Sequence, residues 1–286
     1  MLNVIRSVSA SLIPPLESLG SPRLSSQSYL DSAYSIWSLH DETINIWSHL
    51  VAAGYHGISA LVYLTSCQAR RVDAEAYATI SFAIAATQCF SCSALYHTFS
   101  NHRNAGFWQR MDHFGISTFI WASSAAFSVL CFAERPSIRF AYTTVVTAFA
   151  MLSLWQLQQD VSHWDEISWA RFTIHAIYGS LASLPALHCA SSIAHQSSQA
   201  QRRLLTSFCT FVLLNSIGGV IYATEFVERI TTAESRFVGT SHQVMHIFAI
   251  VASLVFQSGI RTFCVRSHFL RTGHSSQSQK WQYMRA

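Results

Sequence analysis

Charge is what this chain has least of. Only 11% of its 286 residues are Asp, Glu, Lys or Arg, against about 25% in an ordinary soluble domain. Lys280 is the only lysine. A soluble fold would need a very large apolar core under too little charged surface, so the shortage points to a bilayer. The net charge of +4 is modest and carried by scattered arginines. That implies loops beside lipid headgroups and no nucleic-acid partner. No glycine-rich phosphate loop and no GxSxG is present, which argues against a nucleotide partner and a serine-hydrolase triad. The seven cysteines (Cys67, Cys89, Cys92, Cys131, Cys189, Cys209 and Cys264) include one close spacing, Cys89 to Cys92, inside a charge-free run. They predict neither a disulfide framework nor a CxxC metal knuckle, and read as small membrane-buried residues. Leu2 to Ala10 holds Arg6 and no long apolar core, unlike a cleavable signal peptide.

The charges that exist are confined to short loops. Seven stretches contain no Asp, Glu, Lys or Arg: Thr43–Ala69, Ala76–His102, His113–Ala133, Phe140–Gln159, Phe172–Gln201, Leu204–Thr224 and Phe237–Ile260. Each has at least 20 residues, and about 20 residues of helix span the hydrocarbon. One charge at mid-bilayer costs at least ~2.5 kcal/mol on insertion scales, so a charge-free run is what a span requires. Trp47, Trp108, Trp155, Trp164 and Trp169 lie near the borders, as interfacial anchors do. Pro185 should kink the fifth run. Tyr29–His40 places Leu30, Tyr34, Trp37 and Ser38 near one face and predicts a short amphipathic helix in the interface. The fold class is therefore all-α: an integral membrane bundle of seven transmembrane helices with a short N-terminal interfacial helix. Residues 1–28 form a flexible N-terminal tail, 29–262 the transmembrane domain, and 263–286 a basic polar C-terminal tail. Headgroup binding is one role open to that last tail.

A count of seven sorts the unusual polar residues. His40, Asp41, Glu42, Asn45 and His49 open the first span. Ser93, His97 and His102 close the second, Asp112 and His113 open the third, and His242 and His246 open the seventh. By alternation of spans, all of these fall on one membrane face. His242 and His246 are at i and i+4, so their imidazoles share one helix face about a turn apart. With His97 from another helix they make three ligands, and an open fourth position is the pattern of a catalytic zinc. A zinc there would lower the pKa of bound water toward ~7. Asp112 could orient that water or act as general base, or be a solvated loop charge. Ser93, one turn before His97, could be a polar donor at the site or bond back to its own helix.

Three segments carry a resemblance. His40-Asp41-Glu42-Thr43-Ile44-Asn45-Ile46-Trp47-Ser48-His49, then Ser93-Ala94-Leu95-Tyr96-His97 with Met111-Asp112-His113-Phe114-Gly115-Ile116, and last Ser241-His242-Gln243-Val244-Met245-His246 resemble the three motifs of the progestin and adipoQ receptor family. That family includes the adiponectin receptors and haemolysin III-like proteins. The resemblance implies a zinc held by His97, His242 and His246, with Asp112 holding the zinc-bound water and Ser93 beside it. It implies zinc-hydroxide hydrolysis of a membrane lipid amide, ceramide-like, with the lipid entering between helices. It also implies a role in lipid, sterol or metal-linked signalling, in the plasma membrane or an endomembrane. The alternative is a non-enzymatic receptor or sensor with structural zinc and an extracellular ligand; a channel or transporter has less support, with no second buried carboxylate pair. The site would lie near the cytoplasmic face, with the N-terminus inside. Basic residues number seven on the N-terminal side and eleven on the other, and the positive-inside rule would favour the opposite orientation.

Overall fold

The computed structural model describes residues 23, 25–65, 73–159, 168–196, 198–231 and 239–283. Ten helices follow one another among them: α1 (Tyr29–Tyr34), α2 (Thr43–Thr65), α3 (Ala74–Phe99), α4 (Ala105–Cys131), α5 (Pro136–Gln159), α6 (Ser168–Ala182), α7 (Leu184–Gln196), α8 (Gln199–Ala223), α9 (Phe226–Ile230) and α10 (Ser241–Tyr283). The described residues contain no strand, and Ser26 and His102 form an isolated bridge. The all-α membrane bundle is as expected.

Among the described residues, five helices are long and apolar enough to cross a membrane: α3, α4, α5, α8 and α10. The other two expected spans are helical as well. The first is α2, whose apolarity is lowered by Asn45, His49 and His56, all buried. The fifth is broken into α6 and α7 at Ser183. Pro185, in the first turn of α7, has no N–H to continue the α6 ladder. The expected kink is thus a break. At the C-terminus the chain stays helical to Tyr283, so residues 263–283 of the basic tail continue α10.

Burial runs opposite to that of a soluble bundle. Val51, Ile58, Leu61, Leu187, Leu213 and Val251 face outward, whereas Ser117, Ser124 and His56 are inside. The buried polar groups pair across helices: Ser117 with Ser153 (3.3 Å), Ser124 donating to the Ala182 carbonyl (2.6 Å), and His56 with Ser253 (2.9 Å). An apolar exterior and a hydrogen-bonded interior are what lipid solvent demands. The core is aromatic, with Phe127 stacked on Phe208 at 4.5 Å and Phe82 edge-on to Phe256 at 5.1 Å. Small residues such as Ala86, Ala122 and Ala252 let the helices close around these rings.

The interfacial helix is shorter than expected. Tyr29–Tyr34 is α-helical and Ser35–Trp37 a 3-10 turn. Leu30, Tyr34 and Trp37 point outward, and the buried Ser32 donates to Asn101 at 3.0 Å. Positions 1–22 and 24 of the expected flexible tail lie outside the described residues, but Arg23 is held. Its guanidinium donates to the carbonyls of His97 and Thr98 and to the hydroxyls of Ser35 and Ser100. These bonds satisfy carbonyls that the end of α3 leaves open.

Contrary to expectation, two of the cysteines are paired. Cys131, at the end of α4, and Cys189, in α7, are joined as a disulfide. They lie 58 residues apart in sequence, so no local spacing announced the pair.

Gly218 sets the approach of α8 to α10. A Cβ there would lie 2.9 Å from the Phe248 Cβ and 3.4 Å from Met245 backbone atoms. Gly218→Val should therefore destabilise the bundle by about 1–3 kcal/mol through overpacking. Gly54, where an added Cβ meets nothing within 4 Å, is the control. Melting of detergent-solubilised protein should fall for Gly218→Val well beyond any change in Gly54→Val.

Candidate metal centre

Two helix ends build the centre. The last turn of α3 carries His97, and the first turns of α10 carry His242 and His246. Ring centroids are 5.0 Å apart for His97 and His242, 4.9 Å for His97 and His246, and 4.6 Å for His242 and His246. One nitrogen from each of the three lies within 4.8 Å of the other two. His97 and His246 are almost fully buried.

The start of α10 is tightly held. The Glu228 carboxylate accepts from the Ser241 backbone N–H at 2.7 Å and from its hydroxyl. An acid at a helix N-terminus is favoured by the dipole and satisfies open N–H groups. Burial works against the Glu228 charge, but the Ser241 bonds outweigh it and lower its pKa. The Gln243 side-chain oxygen Oε1 accepts from the Gly239 N–H at 2.7 Å. His242 thus sits between two anchored neighbours.

The donor set fits a cation. His97 Nε2 and His246 Nδ1 are buried with no hydrogen-bond partner among the described residues. Buried polar nitrogens without partners are costly, and a metal satisfies them. Three imidazoles suit zinc, copper, iron or nickel.

Ser93 is buried on α3 one turn before His97. Its hydroxyl lies close to the half-buried Asp112 carboxylate on α4, which is within electrostatic reach of His97. The two expected catalytic candidates therefore meet each other beside the histidines. His113 is elsewhere: its Nδ1 pairs with His175 Nε2 of α6 at 3.1 Å. His102 stacks on Tyr29, and His40 bonds the Ser35 carbonyl.

His49 of α2, and Glu42 just before that helix, join the centre without having been assigned a role from sequence. His49 is buried and stacks on His246 at 3.8 Å, and neither of its nitrogens has a hydrogen-bond partner among the described residues. Glu42 accepts from His97 Nδ1 at 2.7 Å and from Asn45 Nδ2 at 2.6 Å. The signal was there: Glu42, Asn45 and His49 follow at i, i+3 and i+7, a polar stripe on one helix face.

Known proteins place this arrangement. The pattern of the haemolysin-III related family matches residues 37–257, which take in all the centre's residues. The chain is 29% identical over 234 residues to the adiponectin receptor protein of Drosophila melanogaster, covering 79% of this chain and 51% of that protein. It is 27% identical over 245 residues to progestin and adipoQ receptor-like protein 1 of Caenorhabditis elegans, covering 82% and 54%. Heptahelical transmembrane protein 3 of Arabidopsis thaliana is 24% identical over 268 residues, covering 78% and 76%. The chain spans about half the length of the first two relatives. With its family pattern, its membrane helices and its histidine cluster in agreement, the chain belongs to the haemolysin-III related family of membrane proteins, that of the progestin and adipoQ receptors.

Proposed function

We propose that this is a zinc-containing, receptor-like protein of seven transmembrane helices that hydrolyses a lipid amide of ceramide-like chemistry. The observation that carries the reading is the three-histidine cluster where the ends of α3 and α10 meet, with Ser93 and Asp112 close by. His97, His242 and His246 would hold the metal. Bound zinc supplies Lewis acidity and a lowered pKa for water. Three protein ligands leave a position for chemistry, where a purely structural site would have four. Asp112 would orient the attacking water and take its proton on a carboxylate oxygen, then return it to the leaving amine as the C–N bond breaks. Ser93, close to Asp112, would donate to that carboxylate and fix its direction. The bilayer supplies the substrate laterally, and the apolar exterior suits that route. Hydrolysis of a labelled ceramide by purified wild type, and its loss in Asp112→Asn with zinc retained, tests the reading.

A second reading keeps the zinc as a structural staple in a non-enzymatic receptor that answers an extracellular ligand. Its support is the receptor names of the relatives. No hydrolysis of any lipid amide by zinc-loaded wild type would favour it.

For orientation, we propose that the histidine end faces the cytoplasm, with the N-terminus inside. Asp112 and Cys131 are 19 positions apart on α4, or about 28 Å along the axis. The Cys131–Cys189 bond therefore belongs to the opposite face. Disulfides persist on the oxidising side of a membrane. Peptide mapping of unreduced protein from its native membrane should recover Cys131 and Cys189 in one linked fragment. Recovery as two free, alkylated thiols would remove this support.

A further inference from the structure

We propose that Glu42 is a positioning residue of the metal centre, fixing His97 in the tautomer whose Nε2 lone pair is free for the metal. The inference rests on the zinc reading of the three histidines. A carboxylate only accepts, so the 2.7 Å contact requires His97 Nδ1 to carry the proton. The neutral ring then has its lone pair on Nε2, the buried nitrogen that finds no protein partner. The same bond fixes the ring plane and makes Nε2 a stronger donor, as carboxylates behind metal-bound histidines do.

Glu42 is itself held in place. Asn45 donates to the same carboxylate oxygen at 2.6 Å, and the Glu42 backbone N–H donates to His40 Nδ1 at 3.1 Å. Among the described residues, His97 is the only one of the three histidines in an ion-pair contact with a carboxylate. His97 is also the only one of the three on α3; the other two share α10 and its anchored N-terminus. The isolated ligand is the one with its own carboxylate. α2 contributes no ligand, yet through Glu42 its N-terminal end becomes part of the centre.

A simple α2–α3 staple would make the same contact, so the test separates stability from affinity. Zinc affinity is measured by competition with a chromogenic chelator for wild type, Glu42→Gln and Glu42→Ala. Melting of the zinc-free forms is measured in parallel. Glu42→Ala should weaken zinc binding by about 10–100-fold. Glu42→Gln should recover part of that loss, because its amide oxygen still accepts from Nδ1. In zinc-free protein labelled with 15N-histidine, His97 should be protonated at Nδ1 in wild type and shift toward the other tautomer in Glu42→Ala. Wild-type zinc affinity in Glu42→Ala overturns the proposal. So does a loss of equal size in both variants that follows their melting temperatures, the mark of a staple. A wild type that binds no zinc at all removes the underlying metal reading, and is seen before any variant is compared.

Discussion

Alanine at His97, His242 or His246 is expected to strip the protein of zinc, from about one ion per chain to none, whichever of the three is replaced. The reason is geometric. The three donor nitrogens lie within 4.8 Å of one another, and two of the rings come from consecutive turns of one helix. Any two remaining imidazoles make an incomplete and weak site. Elemental analysis of detergent-purified protein reads the result directly. Stability should report it too, because a ligand that binds only the folded state stabilises it by about 2.7 kcal/mol at one hundred times its Kd. A chelator should lower the melting temperature of wild type and leave the three variants where they are. His113→Ala is the control, since His113 pairs with His175 away from the cluster. It should keep its zinc. A folded wild type without zinc would leave the histidines as packing partners only, and the hydrolase reading would fall.

The parts of this centre that lie within one helix were legible in the sequence. The i,i+4 spacing of His242 and His246 forces their rings to one face wherever a helix forms. The alternation of charge-free runs then places His97 at the same membrane face, because each crossing reverses direction. What could not be read was the pairing of side chains between helices. Glu42 bonds a histidine 55 positions away, and Cys131 reaches a cysteine 58 positions away. Such contacts depend on helix rotation and crossing angle, which sequence spacing does not encode. The break at Ser183 was half visible: Pro185 announces a disrupted ladder, but whether neighbours let the helix bend or end is a matter of packing. Arg23 was hidden for another reason. A Ser-, Pro- and Gly-rich segment carries no periodic signal, and its anchoring comes from the open carbonyls at the end of α3.

Asp112→Asn should leave zinc bound and reduce lipid-amide hydrolysis by about 10²–10⁴-fold, the usual contribution of a general base or acid. The substitution keeps the size of the side chain and its ability to accept from the nearby Ser93 hydroxyl. It removes the capacity to hold a proton. A loss of turnover with unchanged metal content would therefore assign proton transfer to Asp112. Ser93→Ala should lower the rate less, because it frees the carboxylate to turn without removing it. If Asp112→Asn and wild type hydrolyse the same lipid equally, Asp112 is a packing acid and the proton must travel elsewhere; His49, buried against His246 and with neither nitrogen hydrogen-bonded among the described residues, is the next group to replace. If neither protein hydrolyses any amide while both hold zinc, the metal is a staple between α3 and α10. The centre would then work by holding the ends of those two helices together, so that a ligand favouring a different spacing of the helices would act against it.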